Sequence, residues 1–111
     1  MTPSLPGSLV LALRDYAARL QSRFGSRLRF VRLYGSWARG EAHAGSDIDV
    51  AAVVEGLTID EWREAVGDVW LTQEALDVEL SPFVLPGARF DLLVRRERRI
   101  AADILREGIA P

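Results

Sequence analysis

The sequence predicts an α/β (α+β) domain in which three strands, or four, form one small mixed sheet flanked by helices. Segments 29–34 and 50–54 are short, apolar and rich in β-branched or aromatic residues, which is typical of strands. Longer segments repeat apolar residues at helical spacing. At 111 residues the chain is long enough for one core, so we expect a single domain over residues 1–111.

The first helix is expected at residues 8–24. Ser8 is a residue type that caps helix N-termini, and Gly25 stands where helices commonly end. Apolar residues recur here at helical spacing and predict one buried face, made of Val10, Leu13, Ala17, Leu20 and Phe24.

Two polar motifs lie between the predicted strands. The strand at 29–34 leads into Gly35-Ser36-Trp37-Ala38-Arg39-Gly40, and a polar loop leads to Ser46-Asp47-Ile48-Asp49 before the strand at 50–54. Each motif alone is typical of an ordinary turn or of a solvated strand end. Together, a Gly-Ser turn after one strand and two carboxylates before the next predict a functional site.

The second helix is expected at 58–71, because Thr58 and Glu61 form a capping-box pattern. Four apolar residues then follow at helical spacing, namely Ile59, Trp62, Val66 and Trp70. We expect the two tryptophans to anchor the core.

Segment 75–80 alternates apolar and acidic residues, which predicts a third strand that ends at Ser81-Pro82. Asp77 and Glu79 would share one face of this strand. A solvated sheet face and an active-site face give the same alternation, so both interpretations stay open.

The last helix is expected at 89–107, with Gly108 at its end. We expect its Arg95–Arg99 cluster to be solvated, with a docking surface for an acidic partner or for RNA as the alternative.

The chemistry of the two motifs points to phosphate and a metal ion. Gly35 lets backbone N–H groups approach an anion, and Ser36 adds a hydroxyl donor. Asp47 and Asp49 are two residues apart, so on extended backbone both side chains leave the same face. Such a pair repels itself unless a cation lies between the carboxylates, and oxygen ligands suit Mg²⁺. This is the arrangement that phosphoryl or nucleotidyl transfer needs.

The motifs resemble the signature of the minimal nucleotidyltransferases of the DNA polymerase β superfamily. The pattern Gly-Ser-x-Ala-Arg-Gly and then Ser-Asp-x-Asp is present, with ten residues between Ser36 and Asp47. The resemblance covers most of the chain. It implies two Mg²⁺ ions and ATP, or another NTP, as the nucleotide donor. It also implies three catalytic carboxylates that bind metal, which are Asp47, Asp49 and a residue on a later strand; Asp77 is preferred and Glu79 is the alternative.

The resemblance further implies that the nucleotide is bound by Gly35, Ser36, Arg39 and Ser46. Arg39 has two roles open to it, because its planar guanidinium can clamp a phosphate or brace the turn through a carboxylate. Trp37 either packs on the sheet or lines the nucleotide pocket, and His43 is either an exposed loop residue or a ligand contact.

The acceptor of the nucleotide is also suggested by the resemblance. Stand-alone members of the family are commonly partners of HEPN-domain ribonuclease toxins and act as antitoxins that attach AMP to a toxin tyrosine. A HEPN-domain toxin is therefore the expected partner, within a homo- or hetero-oligomer. Two alternatives stay open: a binding module that neutralises a partner by contact, and a small-molecule nucleotidyltransferase completed by dimerisation.

Composition excludes several other classes of protein. The absence of cysteine excludes disulfides and thiolate sites, and a single histidine argues against zinc. The absence of lysine excludes a Walker-type phosphate site. A net charge of −2 argues against generic nucleic-acid binding. Without a long apolar segment or a signal-peptide pattern, we expect a cytoplasmic protein that does not bind membranes.

Overall fold

The computed structural model describes residues 5–111, which form three strands, five α-helices and one short 3₁₀ helix. In chain order these are α1 (Gly7–Phe24), the 3₁₀ helix Gly25–Arg27, β1 (Leu28–Tyr34), α2 (Ser36–Arg39), β2 (Asp49–Val54), α3 (Ile59–Leu76), β3 (Ser81–Pro86), α4 (Gly87–Arg95) and α5 (Arg99–Glu107). None of the helices in this range is long and apolar enough to cross a membrane.

The strands form one mixed sheet in the order β1-β2-β3, which confirms the predicted fold class. β1 runs antiparallel to β2, with Tyr34 opposite Asp49. β2 runs parallel to β3, with Asp49 opposite Ser81. The antiparallel pairing brings the end of β1 beside the start of β2. The two polar motifs therefore meet at one end of the sheet.

The central strand β2 is buried on both faces because helices cover both sides of the sheet. Val50, Ala52 and Val54 belong to the core cluster that includes α1 and α3 side chains. Ala51 and Val53 belong to the cluster that includes α4 and α5 side chains. A continuous apolar segment is what a strand covered on two faces requires, so the sequence pattern of 50–54 follows from this position.

The two outer edges of the sheet differ. Along the β1 edge, the N–H and C=O groups of Leu33 exchange hydrogen bonds of 2.9 and 2.8 Å with Ile109, which follows α5. Along the β3 edge, the Ser81 N–H donates inward to the Ile48 carbonyl at 2.8 Å. Alternate residues of a parallel strand face opposite sides, so Pro82 and Pro86 place their nitrogens on the open side.

Helices α1 and α3 are joined by polar contacts as well as apolar ones. Arg23 donates two hydrogen bonds to the Asp68 carboxylate, at 2.9 and 2.7 Å. The Thr72 hydroxyl donates to Asp15 at 2.7 Å. Asp68 and Thr72 are buried, so the side of α3 that faces α1 is partly polar and its polar groups are paired.

The predicted strand at 75–80 was wrong. α3 continues to Leu76, and Asp77 is its C-cap in the left-handed conformation, with φ 53. The third strand is instead Ser81–Pro86. We expected Pro82 to end a strand, but an edge strand tolerates proline where its nitrogen faces away from the neighbouring strand.

The helices confirm some of the predicted ends and correct others. Gly25 follows α1 as predicted, but the N-cap of α1 is Pro6 and not Ser8. The capping box of Thr58 and Glu61 at the start of α3 is confirmed. The expected single helix at 89–107 is two helices, because the chain turns at Glu97, which has φ 52.

The two tryptophans of α3 do not anchor the core. Trp62 is 43% exposed and Trp70 is 65% exposed, so that prediction was wrong. The buried residues of α3 are instead Ala65, Asp68, Val69 and Thr72. Asp68 and Thr72 occupy the packed face of α3, where the tryptophans had been expected.

Candidate active site

Gly35 connects β1 to the short helix α2 and lies against the Asp49 carboxylate. Its backbone has φ 77 and ψ −156, a conformation that is essentially restricted to glycine. A Cβ atom at this position would lie 2.5 Å from Asp49 Oδ2, which is too close for normal packing. The turn therefore requires glycine both for its dihedral angles and for the space that Asp49 occupies. Ser36 follows Gly35 as the first residue of α2.

Asp49 is the first residue of β2, and Asp47 lies two residues before it. Burial raises the pKa of the Asp49 carboxyl, the charge of Asp47 raises it further, and the charge of Arg39 lowers it. Burial also raises the pKa of the neighbouring Tyr34 to about 12, with a second contribution from the Asp49 charge. The two carboxylates repel each other, and a cation bound between them would relieve that repulsion.

Arg39 ends α2, and two carboxylates hold its guanidinium group. Its Nε donates to Glu41 Oε2 at 3.0 Å, and its Nη1 donates to Glu107 Oε2 at 3.1 Å. The side chain of Glu107 is 23% exposed and that of Glu41 is 66% exposed, so the contact with Glu107 is better shielded from water. Of the two roles open to Arg39, bracing through a carboxylate is the one that these contacts favour.

The loop before Asp47 is fixed by its own hydrogen bonds. The His43 N–H donates to Ser46 Oγ at 2.9 Å, and the Ser46 N–H donates to the His43 carbonyl at 2.9 Å. The indole N–H of Trp37 donates to the Ser46 carbonyl at 3.3 Å. Trp37 is half-buried and packs against the core. It therefore ties the loop to α2, and of its two expected positions it occupies the packed one.

A cleft of about 480 Å³ opens beside Asp47. Ser46 and Glu79 also line it, and Val66 and Trp70 of α3 form part of its apolar wall. Ser46 and Asp47 thus lie at a concave surface of the size that small ligands occupy, whereas Gly35, Ser36 and Asp49 do not line it.

Asp77 does not line this cleft. It borders a separate depression together with Trp70, Gln73 and Glu74. The expectation that Asp77 projects from a strand beside Asp47 was therefore wrong, because Asp77 ends a helix. Glu79, the alternative, shares the cleft with Asp47.

The carboxylate pair fits a hard divalent ion. Within residues 5–111, no three Asp, Glu, His or Cys side chains are grouped closely enough to hold a metal ion. Mg²⁺ is commonly held by one or two carboxylates, with substrate phosphates and waters in its other positions. Asp47 and Asp49 therefore fit Mg²⁺ that binds together with a nucleotide, and the number of ions stays a prediction.

Two neighbours of this site, Tyr34 and Glu107, were not predicted from the sequence. Tyr34 lies opposite Asp49 in the sheet, and an antiparallel pairing with the correct register would have located it. Glu107 lies 68 positions from Arg39 in the chain. An ion pair between a turn and a distant helix end produces no sequence pattern, so Glu107 could be found only in the folded structure.

Comparisons with known proteins agree with this geometry. The family model of the nucleotidyltransferase domain matches residues 13–104. A solved structure assigned as a minimal nucleotidyltransferase has 27% identity and a TM-score of 0.58, over 92% of this chain and 92% of its own. A search of curated proteins found no match to this chain.

Two toxin–antitoxin structures are also similar to this chain. One is a toxin–antitoxin with AMP-PNP, with 20% identity and a TM-score of 0.51 over 86% of this chain and 69% of its own. The other is a mutant of the toxin–antitoxin MntA-HpeT, with 20% identity and a TM-score of 0.51 over 83% of this chain and 66% of its own. At this level of identity the likeness shows a shared fold.

Proposed function

The chain belongs to the nucleotidyltransferase domain family, and from this premise we propose that it transfers AMP from ATP to a tyrosine of a HEPN-domain ribonuclease toxin. The observation that carries the proposal is the close approach of Gly35 to Asp49, which places a glycine turn beside a carboxylate pair. Toxin–antitoxin structures of the same fold, one of them with AMP-PNP, provide a precedent for a nucleotide and a protein partner.

In the proposed reaction, the acceptor oxygen forms a bond to the α-phosphorus of ATP. The bond from that phosphorus to the oxygen bridging to the β-phosphate breaks, and pyrophosphate leaves with the bonding electrons. The proton of the acceptor hydroxyl passes to a carboxylate. We assign this proton to Glu79, because it lines the same cleft as Asp47. Gly35 and Ser36 bind the β- and γ-phosphates through backbone N–H groups and the hydroxyl.

Asp47 and Asp49 would hold Mg²⁺ in this scheme. Mg²⁺ supplies positive charge that stabilises the phosphates and the leaving pyrophosphate. The charge of the Arg39 guanidinium lowers the pKa of Asp49, whereas burial and the charge of Asp47 raise it. Arg39 thereby favours the ionised form of Asp49, which is the form that binds a cation.

Incubation of the chain with a HEPN-domain toxin, α-labelled ATP and Mg²⁺ tests the proposal. We expect labelled toxin, with the added mass of AMP, from the wild type. Asp47→Asn and Asp49→Asn should transfer no label while keeping the wild-type circular dichroism spectrum. Glu79→Gln should also lose transfer. Asp77→Asn is the comparison variant, and it should keep transfer when the toxin is at saturating concentration.

Each outcome decides between defined alternatives. Label transfer by Asp49→Asn at the wild-type rate would overturn the proposed site. Loss of transfer in Asp77→Asn but not in Glu79→Gln would reverse the assignment of the third carboxylate. An unmodified toxin that binds the wild type and Asp49→Asn equally well would establish neutralisation by contact.

A further inference from the structure

One side of α3 presents large apolar side chains to solvent. Ile59 is 69% exposed, Trp70 65% and Trp62 43%. With the half-buried Val66 they stand three and four residues apart, which places them in one line along the helix. We call Ile59, Trp62, Val66 and Trp70 the α3 stripe. Contiguous exposed apolar residues, aromatic ones above all, mark interaction sites.

The α3 stripe connects two concave surfaces. Val66 and Trp70 form part of the wall of the cleft that holds Asp47. At the other end of the helix, Ile59 and Trp62 line a mostly apolar groove of about 740 Å³. A ligand bound along the stripe would therefore extend from this groove to the candidate active site, over a helix length of about 17 Å at the usual rise per residue.

The end of the stripe nearest the active site is acidic. Glu74 and Asp77 border the same depression as Trp70, and Glu79 lines the cleft. None of these three carboxylates forms an ion pair with another residue in the 5–111 range. A partner with positive charges at this position would gain electrostatic complementarity, and an acidic partner would be repelled.

We propose that the α3 stripe is the docking surface for the acceptor protein of the transfer reaction. An amphipathic segment of the acceptor binds along α3 with its apolar side on the stripe. Arg or Lys residues near its acceptor hydroxyl meet Glu79 at the cleft, and Glu74 and Asp77 at the adjoining depression. This inference rests on the proposed function, and it adds the face that receives the acceptor and the chemistry of the segment that binds there.

A second copy of this chain fits the same surface less well. A symmetric dimer through α3 would bring the stripe of one copy against the stripe of another. With the two helices parallel, the acidic groups near Trp70 of both copies would meet, and like charges at an interface cost binding energy. With the helices antiparallel, Glu74, Asp77 and Glu79 of one copy would meet the groove of the other, which offers a single arginine, Arg89.

Two synthetic peptides test the proposal in the absence of ATP. Both carry a tyrosine and leucines at helical spacing, and the tyrosine is flanked by arginines in one and by glutamates in the other. Fluorescence anisotropy of labelled peptide gives Kd. We expect the arginine peptide to bind the wild type about tenfold more tightly. Trp70→Ala and Ile59→Asp should each weaken it about tenfold, because both remove apolar contact area.

Leu11→Asp is the matched control, because Leu11 is an exposed leucine of α1 and lies outside the stripe. It should bind the arginine peptide as the wild type does. Circular dichroism of each variant checks that it is folded.

Equal affinity for the two peptides, or wild-type affinity of Trp70→Ala and Ile59→Asp, would overturn the docking proposal. So would a wild-type dimer in sedimentation that Ile59→Asp dissociates, because the occupant would then be a second copy. A second assay adds ATP, Mg²⁺ and a HEPN-domain toxin. A toxin that binds through the stripe but never receives AMP would refute the proposed transfer alone. Equal transfer of AMP to the toxin by the wild type and the stripe variants would refute the docking surface alone.

Discussion

Replacement of Gly35 by alanine tests the geometry on which the candidate site depends. The backbone of Gly35 is in a region that other residues rarely occupy, and holding alanine there costs on the order of 1–3 kcal/mol. The added methyl group would also lie 2.5 Å from Asp49 Oδ2, so the carboxylate must move. We therefore expect Gly35→Ala to lower the free energy of unfolding by about 1–3 kcal/mol.

Urea denaturation measures this loss, and Gly67→Ala provides the control. Gly67 lies inside α3, and no atom lies within 4 Å of the Cβ that alanine would add. Alanine there should stabilise the protein by about 0.5–1 kcal/mol, because glycine is the weaker helix former. The two variants have the same chemical change and opposite expected signs.

The same variant should lose transfer activity even where it remains folded. A displacement of a catalytic group by about 1 Å commonly costs on the order of a hundredfold in rate, so we expect Gly35→Ala to lose about that factor in label transfer. Wild-type stability together with wild-type transfer in Gly35→Ala would refute the view that this glycine makes room for Asp49.

Three further predictions concern charged groups. Because burial raises the pKa of Asp49 in the folded state, its ionised form destabilises the fold. In Mg²⁺-free buffer Asp49→Asn should therefore have a higher Tm than the wild type at neutral pH, and the difference should shrink as pH falls through the raised pKa, where the wild type becomes protonated. Arg23→Met leaves the buried Asp68 without its partner, and chemical denaturation should show a loss of about 1–3 kcal/mol. Glu107→Gln weakens the support of Arg39; in steady-state kinetics it should lower kcat/KM for transfer with little change in Tm, and an unchanged kcat/KM would contradict the bracing role.

The sequence was sufficient to predict the part of the fold where local pattern and tertiary position agree. Residues 50–54 of β2 are apolar because both faces of the strand are covered, and the capping box of Thr58 and Glu61 marks the start of α3 by local hydrogen bonding alone. The Gly35 turn and the Asp47–Asp49 pair could be located for the same reason, since one short segment contains each of them.

The third strand could not be predicted, because residues 75–80 satisfy two patterns. Their alternation suits a strand, yet Leu76 also completes α3 and Asp77 adopts a left-handed C-cap. The position of the third strand is determined by contacts outside this segment, because residues 81–86 pair with β2. The buried face of α3 was missed because Asp68 and Thr72 look like surface residues until Arg23 and Asp15 are in place.

The edges of the sheet affect how this protein can associate with other protein molecules. The backbone groups of an unpaired edge strand can pair with a strand of another molecule, and repeated pairing leads to fibres or aggregates. On the β3 edge, Pro82 and Pro86 have no backbone N–H group that could donate a hydrogen bond to another strand. On the β1 edge, Ile109 already pairs with Leu33. Addition of another strand is therefore discouraged at both edges of the sheet. The exposed tryptophans of α3 then carry less risk of leading to polymers.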